Sequence, residues 1–144
     1  MKFSGNWIVL SSLLMTGMFL VLPIETASAQ ESIDIEVTQD SATVDPRTGE
    51  VTISGTVTCS APLEAQVYGG VNQPVGRTDS VEGFGYGAFY CDKDGQPYSF
   101  SLFPYRGRFA PGRAVITVDA YVCNEFTCDG DRLQQSTRIT PAGG

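Results

Sequence analysis

The 144-residue chain carries 9 basic and 16 acidic residues, a formal net charge of −7, and no histidine. Without imidazole it has no Ser-His-Asp or Cys-His catalytic site and no His-ligated zinc, copper or iron. Phosphate binding needs clustered cations, so nucleic acid is a poor partner, and anionic membranes are disfavoured for the same reason.

Met1 and Lys2 make a short positive start. Trp7 to Leu22 is mostly apolar, Pro23 breaks it, and Ala27-Ser28-Ala29 presents an A-x-A cleavage site before Gln30. Residues 1–29 read as a signal peptide and residues 30–144 as one exported domain, secreted to the periplasm or the extracellular space, where disulfides form. The apolar run falls short of the ~20 residues a spanning helix needs. It is also interrupted by Ser11, Ser12, Thr16 and Gly17, so no stable membrane insertion is expected after cleavage. The first cysteine is Cys59, which leaves no cysteine at the cleavage site for a lipid anchor. Losing the leader removes Lys2 and Glu25, so the charge stays at −7, and it also removes every methionine and the only tryptophan.

Beyond the leader the chain alternates at period two, with Gly, Pro and Asp between the runs and no helical period. Ile33, Ile35 and Val37 predict a half-buried strand, and Asp45-Pro46-Arg47-Thr48-Gly49 a turn. Val51, Ile53, Gly55, Val57 and Cys59 line one face of the clearest strand, with Thr52, Ser54, Thr56 and Thr58 on the other. Leu63, Ala65 and Val67 predict a third run ending near Gly69-Gly70. From Gly83 to Cys91 glycine alternates with larger residues, a pattern that marks a bulge, a bend or the close approach of another backbone. Asp92-Lys93-Asp94-Gly95 reads as a hairpin turn, and Tyr98 to Phe103 as the returning strand. Pro104 to Gly112 is a loop. Ala114, Ile116, Val118, Ala120 and Val122 form another long face, and a last strand runs from about Leu133 to Ile139. About seven short strands without helices predict an antiparallel β-sandwich of immunoglobulin-like type, with a small closed barrel as the alternative.

Four cysteines allow three pairings. Cys59 with Cys123 has the spacing of the inter-sheet bridge in antibody domains, and Tyr121-Val122-Cys123 mimics its second strand. Side-chain parity opposes it. Cys59 lies on the apolar face of its strand, whereas Cys123 lies with Val115, Thr117, Asp119 and Tyr121, opposite the apolar set. Cys123 with Cys128 suits a clip across a hairpin end, which leaves Cys59 to pair with Cys91. Four thiolates with one close pair, in an oxidising compartment, do not read as a zinc site.

Glu50 to Cys59, then Cys91-Asp92 with Gly95 and Tyr98, then Phe109-Ala110-Pro111-Gly112-Arg113-Ala114, resemble a group of small exported bacterial immunoglobulin-like domains of unknown function, common in actinobacteria. The resemblance spans roughly residues 40–122. It implies the fold and carries no activity. Cys123-Asn124-Glu125-Phe126-Thr127-Cys128 is similar in spacing to one bridge of the neocarzinostatin-type apoproteins, acidic exported sandwiches that hold an apolar chromophore in a cleft. Their other bridge closes a much shorter loop than Cys59 to Cys91.

Two segments are candidate binding sites. Phe103-Pro104-Tyr105-Arg106-Gly107-Arg108-Phe109 gathers aromatics and two cations in an acidic protein, and Tyr and Arg are enriched at binding hot spots. Phe103, Tyr105, Arg106 and Arg108 are the residues to test. The bland alternative is a connecting loop plugged by Phe103 and Phe109, its arginines bonded to nearby carboxylates. The run 84–90, with Tyr86 at its centre, offers a flat platform for sugars or other rings; otherwise its aromatics fill the interior. Asp92-Lys93-Asp94-Gly95 and Asp129-Gly130-Asp131 resemble the start of a calcium loop, but Phe103 stands where the first would need its glutamate, and both read better as turns. No metal or other cofactor is implied. A hydrolase would need two carboxylates across a groove. Asp119 is the one acidic residue within a strongly apolar run, and it fits equally a wet face on which it pairs with an arginine. The expectation is a non-catalytic binding or interaction module for a protein, a glycan or a small apolar ligand. A carrier holding a hydrophobic ligand in a cleft comes second, and a carboxylate hydrolase third.

Overall fold

The computed structural model describes residues 32–143; the signal-peptide reading falls on residues 1–29, outside the described residues. Eight strands are present among them: β1 (Ile35–Val37), β2 (Ser41–Val44), β3 (Val51–Cys59), β4 (Leu63–Val75), β5 (Asp79–Cys91), β6 (Gln96–Pro104), β7 (Gly112–Cys123) and β8 (Cys128–Pro141).

Alternation decides which way each strand faces. Val51, Ile53, Val57 and Cys59 of β3, Ala65, Val67 and Val71 of β4, and Ala114, Ile116, Val118, Ala120 and Val122 of β7 are all buried. Tyr98 and Leu102 of β6 and Ile139 of β8 close the same core. The intervening residues face outward.

The strands close on themselves, which corrects the expected two-layer sandwich. β3 pairs with β1 and β2 along one edge and with β6 along the other. β8, β7, β4 and β5 form a continuous antiparallel ladder. Two short seams join these halves into a seven-stranded barrel with β1 as an appendage. β2 runs parallel to β8 at Thr43 and Val44, opposite Thr140 and Pro141. β5 meets β6 at Gly83 and Phe84, opposite Pro104 and Phe103. Glycine makes the second seam possible: a Cβ on Gly83 would stand 2.5 Å from the Phe103 carbonyl oxygen, and one on Gly85 would overlap that of Ser101. The Gly83–Cys91 pattern therefore marks close approach of a second backbone.

Other boundaries also differ from expectation. β4 runs on to Val75 rather than ending near Gly70, and β5 starts at Asp79, so the two make a long hairpin. The buried Gln73 explains part of this, because its amide both donates to and accepts from the backbone of Ala110 (2.7 and 2.9 Å) and so acts as a strand neighbour would. Asp92–Gly95 is a turn, with the Asp92 carboxylate accepting from the Asp94 amide at 3.0 Å, but it passes between the two halves; β5 and β6 pair only at their far ends. Asp129-Gly130-Asp131 is not a turn. It lies within β8, and the Asp129 and Asp131 carboxylates accept the amides of Ile35 and Val37 (3.1 and 2.9 Å), which fastens β1 along its free edge. The β7–β8 turn is instead Asn124–Thr127, where Asn124 Oδ1 accepts two amides.

Both disulfides follow parity. Cys59–Cys91 is buried and ties β3 to β5. Cys123–Cys128 joins register partners at the exposed end of β7 and β8.

Candidate functional site: an aromatic outer face

Outward residues of β5, β4, β7 and β8 fall into rows across the ladder. One row is Tyr86, Tyr68, Asp119 and Arg132; the next is Phe84, Gly70, Thr117 and Gln134; the next is Glu82, Asn72, Val115 and Ser136. On the same face Tyr121 stands beside Gln66. Four rings thus meet on the solvent side. Tyr68 is at the centre, with Phe84 at 6.2 Å, Tyr86 at 6.1 Å and Tyr121 at 6.1 Å between centroids. The first two are stacked and the third is edge-on, the geometries that ring quadrupoles favour. Tyr86 is 68% exposed. The side chains of run 84–90 at even positions therefore point to solvent; only Phe89 turns in, to pack on Tyr98 and Phe100.

The β5–β6 seam brings the two candidate segments together. Phe103 is the register partner of Phe84, and the Tyr105 amide donates to the Glu82 carbonyl at 2.8 Å. Tyr105, 72% exposed, walls an open depression of about 260 Å³ together with Phe84, Glu82, Asn72 and Gln134. Its floor is Gly70, where a Cβ would meet nothing within 4 Å. Asn72 donates to the Glu82 carboxylate at 2.9 Å across the rim. Tyr86, Phe103 and Tyr105 are thus parts of one surface.

The two arginines do not join it in the same way. Arg108 turns to the 45–49 turn, where its Nη2 donates to the carbonyls of Pro46 (3.0 Å) and Arg47. It serves as a brace, bonded to carbonyl oxygens rather than to the carboxylates expected. Arg106 is exposed. Of the two phenylalanines in the connecting-loop alternative, Phe109 is buried in the core and Phe103 lies outside, because the seam sets it opposite Phe84 on the outer face.

Asp119 pairs with Arg132 across β7 and β8 at 3.3 Å, on the outer face. No group of three Cys, Asp or Glu side chains that could hold a metal gathers among the described residues. Burial, with Asp40 adding to it, pushes the Tyr98 phenol well above the ordinary value of about 10. Its hydroxyl donates to the Thr38 carbonyl at 2.6 Å, a structural bond under the β1–β2 link.

Composition points to runs 84–90 and 103–109 but misses Tyr68, Tyr121, Gly70 and Asn72. Their signal is cross-strand register, which is absent from any single run of sequence.

No family model matches the chain, and no curated protein matches it. Among solved structures it is similar to CsgH of R. palustris, at 16% identity over 71% of this chain and 91% of that one, with a TM-score of 0.35. It is similar to the same degree to the ligand binding region of Serine-glutamate repeat protein A of Enterococcus faecium, with 16% identity, 71% and 90% coverage, and a TM-score of 0.35. Likenesses this weak carry no argument about what the chain does.

Proposed function

We propose that this protein is an exported, non-catalytic binding module that takes glycan chains on the aromatic outer face of β5, β4 and β7. One observation carries the reading: four mutually packed rings stand on the wet side of a ladder whose dry side is already filled. Exposed apolar patches rimmed by polar groups mark interaction sites. The carbon-bound hydrogens of a sugar ring suit the negative face of an aromatic ring. Asn72, Glu82, Thr117 and Gln134 lie beside the rings, placed to bond hydroxyl groups. A carrier would need a cleft between the halves, but a Cβ on Gly69 would already stand 2.7 Å from Leu102 and 2.9 Å from Ile53, so the outer face is favoured. We also read the barrel as an immunoglobulin-like arrangement pressed shut at its seams; the short parallel β2–β8 contact supports this.

The test is glycan binding by titration calorimetry against a panel of soluble polysaccharides. Wild-type protein should bind at least one, and Tyr86→Ala and Tyr68→Ala should each weaken that binding at least tenfold while leaving the fold intact by circular dichroism. Undiminished binding by both variants would remove the face from consideration.

A further inference from the structure

The aromatic face continues along the strands into a cationic one. Two residues beyond the Val115–Ser136 pair, Arg113 of β7 and Arg138 of β8 are direct register partners. They line an open depression of about 420 Å³ with Ser136 and Thr137. Like charges set opposite each other on antiparallel strands, with Cβ atoms ~5 Å apart, repel and destabilise the pair. Neither arginine forms an ion pair among the described residues, although the protein is rich in carboxylates. Arg132, further along β8, shows the ordinary solution by pairing with Asp119. Two arginines on facing register positions, neither in an ion pair among the described residues, give this end of the face a local positive charge that favours an anionic group.

We propose that Arg113 and Arg138 bind a carboxylate of the glycan that lies on the aromatic face, so that the ligand is a uronate-bearing polysaccharide. This rests on the glycan reading above and names its chemical class. Guanidinium forks match planar carboxylates with two parallel hydrogen bonds. The arginine pair sits four residues along β7 from Thr117, the row of Phe84 and Gly70, or about 13 Å at strand rise. Between them lies the depression containing Glu82, whose charge disfavours an acid group there. Neutral sugar units over Glu82 and an acid unit over the arginines satisfy both. A polymer in which uronate and neutral units alternate therefore fits better than one charged at every unit.

The experiment is calorimetry on the full secreted protein with a hyaluronan octasaccharide, which alternates uronate and neutral units, and with its carboxyl-reduced, uncharged form. The acid form should bind at least about tenfold tighter at about 50 mM salt, with the advantage shrinking at about 300 mM. The double variant Arg113→Ala, Arg138→Ala should lose that advantage, bind the reduced form as wild type does, and melt no lower than wild type. Tyr86→Ala should weaken both forms. Equal binding of the two forms by wild type, or an unchanged preference in the double variant, overturns the carboxylate assignment and leaves the glycan module standing. Binding of neither form, with a blank polysaccharide panel, removes both.

Discussion

The barrel has two outward faces of opposite character. On β3 and β6 the outer rows are small and hydroxylic: Thr52 opposite Ser101, Ser54 opposite Ser99, with Ser41 Oγ and Ser54 Oγ 2.6 Å apart. On β5, β4 and β7 they are Tyr86, Tyr68, Phe84 and Tyr121. Both cover equally apolar interiors, so folding does not demand the difference. Hydroxyl rows are what a strand needs to stay soluble and to favour extended backbone. Large rings clustered in water are what the proposed binding role would call for, since exposed apolar patches rimmed by polar groups mark interaction sites.

That contrast divides substitutions into those that damage the shared core and those that touch one face. The largest loss should come from removal of the buried bridge by Cys59→Ala with Cys91→Ala, about 4 kcal/mol for a loop of this length, read by denaturant unfolding. Gly55→Ala comes next, at about 3 kcal/mol or less. Its Cβ would overlap the Thr38 carbonyl oxygen and stand 2.7 Å from the Tyr98 hydroxyl. Removing Cys123–Cys128 should cost about 2 kcal/mol in the same measurement, because its loop is short.

Tyr98 ties the core to pH. Its proton is held more tightly in the folded state, so its contribution is complete below the unfolded value of about 10 and is lost as pH rises beyond it. Stability should fall above that point with a slope approaching about 1.4 kcal/mol per pH unit. Tyr98→Phe should remove that slope and cost about 1–2 kcal/mol at neutral pH, since the Thr38 carbonyl loses its donor.

The two faces separate last and most finely. Tyr86→Ala should cost about 1 kcal/mol of stability or less while losing glycan binding. Thr52→Ala on the opposite face should change stability by about 0.5 kcal/mol at most and leave binding as it was. Equal loss of binding from both variants would erase the distinction between the faces.

Much of this architecture was legible in local pattern. Unbroken alternation from Val51 to Cys59 and from Ala114 to Val122 set two central strands. Parity alone separated Cys59 from Cys123. The glycines from 83 on marked a bulge, a bend or a second backbone nearby without saying which, and the β5–β6 seam is the last of these. Where pattern faded, expectation failed: the run from Leu63 was expected to end near Gly70 yet continues through Asn72, Gln73 and Pro74, and Asp129-Gly130-Asp131, read as a turn, lies in β8. In these stretches polar side chains bond distant backbone, Gln73 to Ala110 and Asp131 to Val37.

Period-two alternation is a property of neighbours in the chain, so residue order by itself determined the inward-facing sets of β3 and β7, the all-β class and the choice of disulfides. Closure into a barrel, and the meeting of Tyr68, Phe84, Tyr86 and Tyr121 beside Phe103 and Tyr105, depend on register between strands far apart in sequence. Only the tertiary structure decides register, because it is set by which buried faces pack together and where glycine lets two backbones approach.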